Sequence, residues 1–156
     1  GIDVTVAGVT GNVVTASRGV KLVPDLSLDE ALKHGPWDMV VMPGGMDGTR
    51  ALTEDQRVQS LLRETHAGGR VVAAICAAPM ALERAGLLKG RRFTAYPGVL
   101  KVDAGGGTYT GTRVEIDGNV VTSRGPGTAV DFALALVELA AGKAMRDKVR
   151  QSLVAD

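Results

Sequence analysis

Val71-Val72-Ala73-Ala74-Ile75-Cys76-Ala77-Ala78-Pro79 decides the fold. The first five residues are an unbroken apolar run, which reads as a buried strand. Pro79 to Ala85 reads as a helix stopped at Gly86. A strand therefore turns into a helix with Cys76 at the corner. Upstream, Met39-Val40-Val41-Met42 is a second buried strand, ended by Pro43-Gly44-Gly45. Between the two, Thr53 with Gln56 three residues on caps a helix whose apolar face is Val58, Leu61, Leu62 and Thr65, and Gly68-Gly69 stops it.

Further out the same reading continues. Asp3 to Ala7 alternates as a strand does, and Asn12 to Ala16 and Val20 to Val23 read as two short strands. Ser27-Leu28-Asp29-Glu30 is a capping box opening a short helix that ends at Gly35-Pro36. Phe93 to Tyr96 reads as a strand closed by Pro97, and Lys101 to Thr112 as a loop. Val114-Glu115-Ile116 and Asn119-Val120-Val121-Thr122 flank Asp117-Gly118, a hairpin signal. Thr128 caps an apolar helix to Ala141, and an amphipathic helix runs from about Ala144 to Val154. Buried strands alternating with helices specify an α/β protein with a parallel sheet covered on both faces. In such sheets chemistry sits at the carboxyl ends of strands: here after Met42, Ile75 and Thr122.

At 156 residues the chain is one domain's length, enough to bury a core without staples. Gly1 is not a methionine, and Val4 to Ala7 already resembles strand interior, so the chain is expected to be processed or a fragment. Eighteen basic residues against 17 acidic leave +1, and 3% of residues are aromatic, so no nucleic acid is expected as partner. No apolar run reaches the roughly 18 residues of a membrane span. A single cysteine excludes an internal disulfide and a cysteine-based zinc site, and points to a reducing, cytoplasmic setting. Gly45-x-x-Gly48 is not a dinucleotide fingerprint, and no Walker motif is present. The expectation is no cofactor and no metal.

Each strand end has a chemical and a plain reading. Cys76 is either a nucleophile at an elbow, its thiolate favoured by the helix N-terminus, or an inert buried thiol. Gly44 and Gly45 either aim backbone N–H groups at a substrate oxygen or make a tight turn. Ser123-Arg124-Gly125-Pro126-Gly127-Thr128 either holds an anion with Arg124 and a helix N-terminus or forms a rigid turn. His34 and His66 fall at helix ends as surface histidines, and no His-x-Glu pair follows Cys76, so a Cys-His-Glu triad is not supported.

Five segments occur in order: Val4-Thr5-Val6-Ala7-Gly8; Pro24-Asp25-x-Ser27-Leu28; Gly35-Pro36-x-Asp38-x-Val40-Val41-x-Pro43-Gly44-Gly45; Ala73-Ala74-Ile75-Cys76-Ala77-x-Pro79; and Thr122-Ser123-Arg124-Gly125-Pro126-Gly127-Thr128. Together they resemble the ThiJ/PfpI superfamily, in particular its parkinsonism-associated DJ-one branch. The resemblance implies a single flavodoxin-like domain over residues 1–156, a three-layer α/β/α sandwich working as a homodimer. It implies that Cys76 is the reactive thiol and that Gly44, Gly45 and Ala77 flank it with backbone N–H groups. Arg18, near the dimer interface, with Tyr96, Arg124 and Pro126, would meet substrate or anion. The activity implied is that of a glyoxalase III or protein deglycase acting on small dicarbonyls or glycated proteins. A redox sensor or chaperone is the alternative, and a PfpI-type peptidase a weaker one, disfavoured by Ala77.

The chain departs from the family in three places. Ala78 stands where glycine is frequent, and Tyr96 where animal members carry histidine, so that histidine's acid–base roles do not transfer. Nothing here matches the family's first strand and glutamate-bearing helix, so the domain is expected to be N-terminally incomplete.

Overall fold

The computed structural model describes residues 1–11 and 13–155. In chain order, strands β1 (Ala7–Gly8), β2 (Val14–Thr15), β3 (Lys21–Leu22) and β4 (Leu26–Ser27) lead to helix α1 (Leu28–Lys33). Strand β5 (Met39–Met42) precedes α2 (Met46–Glu54) and α3 (Gln56–Ala67), and β6 (Val71–Ile75) precedes α4 (Pro79–Arg84). Then come β7 (Arg92–Phe93), β8 (Thr108–Tyr109), β9 (Val114–Asp117), β10 (Val120–Ser123), α5 (Ala129–Ala141) and α6 (Lys143–Ser152).

The main sheet has the order β5-β6-β10-β9. Strand β6 runs parallel to both neighbours, with Ala74 beside Met42 and beside Thr122, and only β9 is antiparallel. This is the mostly parallel α/β sheet expected. Successive side chains of a strand face opposite sides, and β6 serves two cores in this way. Val72 and Ala74 pack with Met42, Val58, Leu62, Leu82 and Phe93 on one face, while Ala73 packs with Val121 and Phe132 of α5 on the other. Val72, Ala73, Ala74, Leu62 and Phe93 are fully buried.

The helix starts follow local chemistry. The capping box of α1 is complete: the Glu30 amide donates to Ser27 Oγ at 3.2 Å and the Ser27 amide to Glu30 Oε2 at 3.0 Å. The cap of α3 is a correction. Asp55, not Thr53, precedes the helix and accepts from the Arg57 and Val58 amides, because a carboxylate offers these free donors a stronger acceptor. Helix α2 was not expected at all. Its Met46-Asp47-Gly48-Thr49 opening holds poor helix formers and only Thr49 is buried, so neither propensity nor an apolar stripe announces it.

Other expectations shorten. Of Asp3 to Ala7 only Ala7 pairs, and β1 runs parallel to β4, an unexpected strand. Ile2, Val4 and Val6 stay 45%, 76% and 55% exposed, since among the described residues no neighbouring strand covers them. Strand β5 forms the edge of its sheet, so Val41, expected buried, is 45% exposed. The two short strands after Gly11 form an antiparallel hairpin, β2 with β3; Asn12, assigned to the first, lies outside the described residues. The Phe93 to Tyr96 strand reduces to β7, paired with β8 inside the expected loop. Among the described residues no helix is long and apolar enough to cross a membrane.

Candidate active site

The three strand ends converge as expected. Cys76 follows β6 with φ +66°, a left-handed conformation that costs a non-glycine residue about 1–3 kcal/mol unless its surroundings enforce it. They do so here through both of its backbone groups. The Cys76 amide donates to the Ser123 carbonyl at the end of β10 at 2.9 Å, and its carbonyl accepts from the Tyr96 amide at 2.8 Å. The Ala78 amide closes the turn on the Ile75 carbonyl at 3.2 Å. Ala77, Ala78 and Ala74 are buried and small, so the chain bends without steric conflict while Cys76 itself stays half-buried.

Gly44 lies against the thiol from the end of β5. A Cβ there would stand 2.5 Å from Cys76 Cβ and 3.2 Å from Cys76 Sγ, so only glycine fits. Gly45, at φ +94°, turns the chain into α2. Among the described residues the amides of Gly44, Gly45 and Ala77 reach no protein acceptor. Free donors beside a nucleophile are what a developing oxyanion requires.

The segment after β10 is tightly braced. Ser123 Oγ donates to the Arg113 carbonyl at 2.8 Å and shares a 2.7 Å hydrogen bond with Thr128 Oγ1. Thr128 Oγ1 also accepts from the Gly125 amide at 3.1 Å. Arg113 pairs with Asp131 and donates to the Gly127 carbonyl at 2.9 Å, clipping the turn from outside. Buried Ser123 and Thr128, the two ends of the quoted segment, hold this turn through their hydroxyls, a pairing the sequence reading did not give. Thr128 makes no side-chain cap to α5, since its hydroxyl is spent on the turn. Arg124 and Pro126 are exposed on it, and the Arg124 side chain makes no ion pair among the described residues.

Tyr96 completes the rim. Its ring rests on Gly125, where a Cβ would meet Cδ2 at 3.3 Å. Arg18 is not brought to this cluster. It sits exposed at φ +65° in the turn between β2 and β3, on a separate two-stranded sheet.

No described group is placed as a base for the thiol. His34 is exposed. His66 lies at the opposite end of the sheet, where Asn119 Nδ2 donates to its carbonyl at 3.0 Å and Arg91 faces its Nε2 at 3.3 Å. The whole length of β6 separates that end of the sheet from Cys76. Burial first, and then the Arg91 guanidinium, hold its imidazole below the usual histidine range. Glu115, buried on β9, was passed over in the sequence. Burial pushes its carboxyl up, but hydrogen bonds from Thr110, Thr112 and Arg92 outweigh that and hold it below the ordinary range. With Arg92 at 2.6 Å it is a fixed ion pair.

Comparison with known proteins agrees with this geometry. The family described as DJ-1/PfpI matches residues 1–139. The chain is 43% identical to Parkinson disease protein 7 homolog of Danio rerio over 157 aligned positions, covering 99% of this chain and 83% of that one. It is 35% identical over 142 positions to the glutathione-independent glyoxalase DJR-1.2 of Caenorhabditis elegans, covering 91% and 75%. The crystal structure of Drosophila melanogaster DJ-1beta superposes with a TM-score of 0.90 at 40% identity, covering 97% of this chain and 82% of that one, and places the flavodoxin-like fold beyond doubt. A positive-φ cysteine elbow, a glycine pair facing it and the Ser-Arg-Gly-Pro-Gly-Thr turn thus come with kinship over nearly the whole chain: it belongs to the DJ-1/PfpI family.

Proposed function

We propose that the protein is a cysteine-dependent glyoxalase or deglycase acting on small dicarbonyls or their glycation adducts. The observation that carries this is the elbow: a thiol held at φ +66° with Gly44 against its sulfur and unspent amides around it. The named activity of the C. elegans relative supports it. The Cys76 thiolate adds to the aldehyde carbon of methylglyoxal, giving a hemithioacetal whose oxygen the Gly45 and Ala77 amides hold. A proton then leaves that carbon and one returns to the neighbouring carbonyl carbon, leaving a thioester. Water hydrolyses it to lactate and the free thiol. The family resemblance gives the proton transfers to a glutamate with no counterpart in residues 1–156. Lactate release from methylglyoxal by the full-length protein, lost in Cys76→Ala, is the expected result; equal rates would end this reading.

One observation favours a second reading. Cys76 is the single cysteine, so an oxidised Cys76 has no resolving thiol within the chain. As a redox sensor it would stop at sulfinate, its oxygens on the same free amides. Intact mass after mild peroxide should then show Cys76 modified well ahead of a model thiol. Homodimerisation, with Arg18 reaching toward the site of a second copy, belongs to both readings; sedimentation at micromolar concentration showing only monomer would count against it.

A further inference from the structure

The chain has two tyrosines, two phenylalanines and one tryptophan. Four of these rings are occupied: Phe93 and Phe132 are buried, Tyr109 packs edge-on to Phe93 with centroids 5.8 Å apart, and Trp37 donates to the Ala31 carbonyl. Tyr96 alone is exposed, at 50%. It is nonetheless anchored, with its amide on the Cys76 carbonyl at 2.8 Å, its carbonyl accepting from the Val99 amide at 3.2 Å, and its ring on Gly125. In the order β5-β6-β10 the thiol at the end of β6 has Gly44 on one side and the Gly125 turn bearing Tyr96 on the other. A fixed aromatic ring with free surface beside a nucleophile offers a planar substituent a place to stack.

We propose that Tyr96 is the specificity wall of the Cys76 site, stacking on a planar group next to the reacting carbon, so that aryl α-oxoaldehydes are preferred over glyoxal. This rests on Cys76 as the thiol that meets the substrate. The hydroxyl has no part in it, and Gly125 does: a Cβ there would stand 3.3 Å from Cδ2, so the bare glycine lets the ring lie in close contact.

The test compares the full-length protein with Tyr96→Phe and Tyr96→Leu. In each, kcat/KM for phenylglyoxal is divided by that for glyoxal, and the Cys76 alkylation rate by 2-bromoacetophenone is divided by that by iodoacetamide. Both ratios should survive in Tyr96→Phe and fall about threefold to tenfold in Tyr96→Leu. The alkylation ratio needs no turnover. If no variant, and not the parent, converts a dicarbonyl, while that ratio still falls in Tyr96→Leu, the enzymatic reading fails and the wall stands. An alkylation ratio unchanged in Tyr96→Leu overturns the wall, whatever the turnover.

Discussion

Residues 2–6 and 71–75 are both β-rich, valine-bearing runs, yet they end in different places. Val71–Ile75 lies between two parallel strands and buries Val72, Ala73 and Ala74 completely. Among the described residues Ile2 to Val6 has no strand partner, and of its backbone Val6 is tied to Asp25 and Leu26. The outer edge of β5, with Val41 half exposed, is equally open. A strand pattern therefore states which neighbours a segment needs, and burial comes only where the neighbours exist.

The largest test of that contrast is a pair of truncations. Phe93→Ala should cost about 3–5 kcal/mol by urea denaturation, as expected for a fully buried aromatic, and Val4→Ala should cost clearly less. Similar costs would mean the two regions are equally packed.

Gly44→Ala probes the tight region without emptying it. With its Cβ forced to 2.5 Å from Cys76 Cβ, one strand end must move, and Cys76 alkylation should slow by about 100-fold, or about 2.7 kcal/mol in barrier, at an unchanged far-UV spectrum. The smallest effect is at His66. Its folded pKa is lowered, so the folded state disfavours the proton. Stability should be level above the unfolded value of about 6.5 and fall as pH drops from there through the folded pKa. In His66→Asn that slope should flatten; an unaltered slope would assign it to other groups.

The sequence was most legible where local chemistry suffices. The Ser27–Glu30 box, the Asp117-Gly118 hairpin and the β6 elbow depend on neighbours in the chain, and each formed as read. The convergence of Gly44, Cys76 and Ser123 followed from one rule about strand ends. What was not legible depends on distant partners. Helix α2 has one buried residue and is held by packing beside α4. Strand β8, the partner of β7, lies within a stretch whose glycines read as loop. The brace from Arg113 to Asp131 spans 18 residues, and no periodicity announces such a pair. Tyr96 and Arg18 illustrate the same limit: one rests on the site and the other, an expected site neighbour, sits on a different sheet.

The two hydrogen bonds through Cys76's own peptide groups make its backbone part of the sheet's frame rather than of a loop. Deuterium should enter the Cys76 and Tyr96 amides only when the central strands part, placing them among the slowest exchanging positions of the molecule. The residue with the most reactive side chain would then have one of the least mobile amides, and chemical aggressiveness and mechanical stillness would meet at one α-carbon.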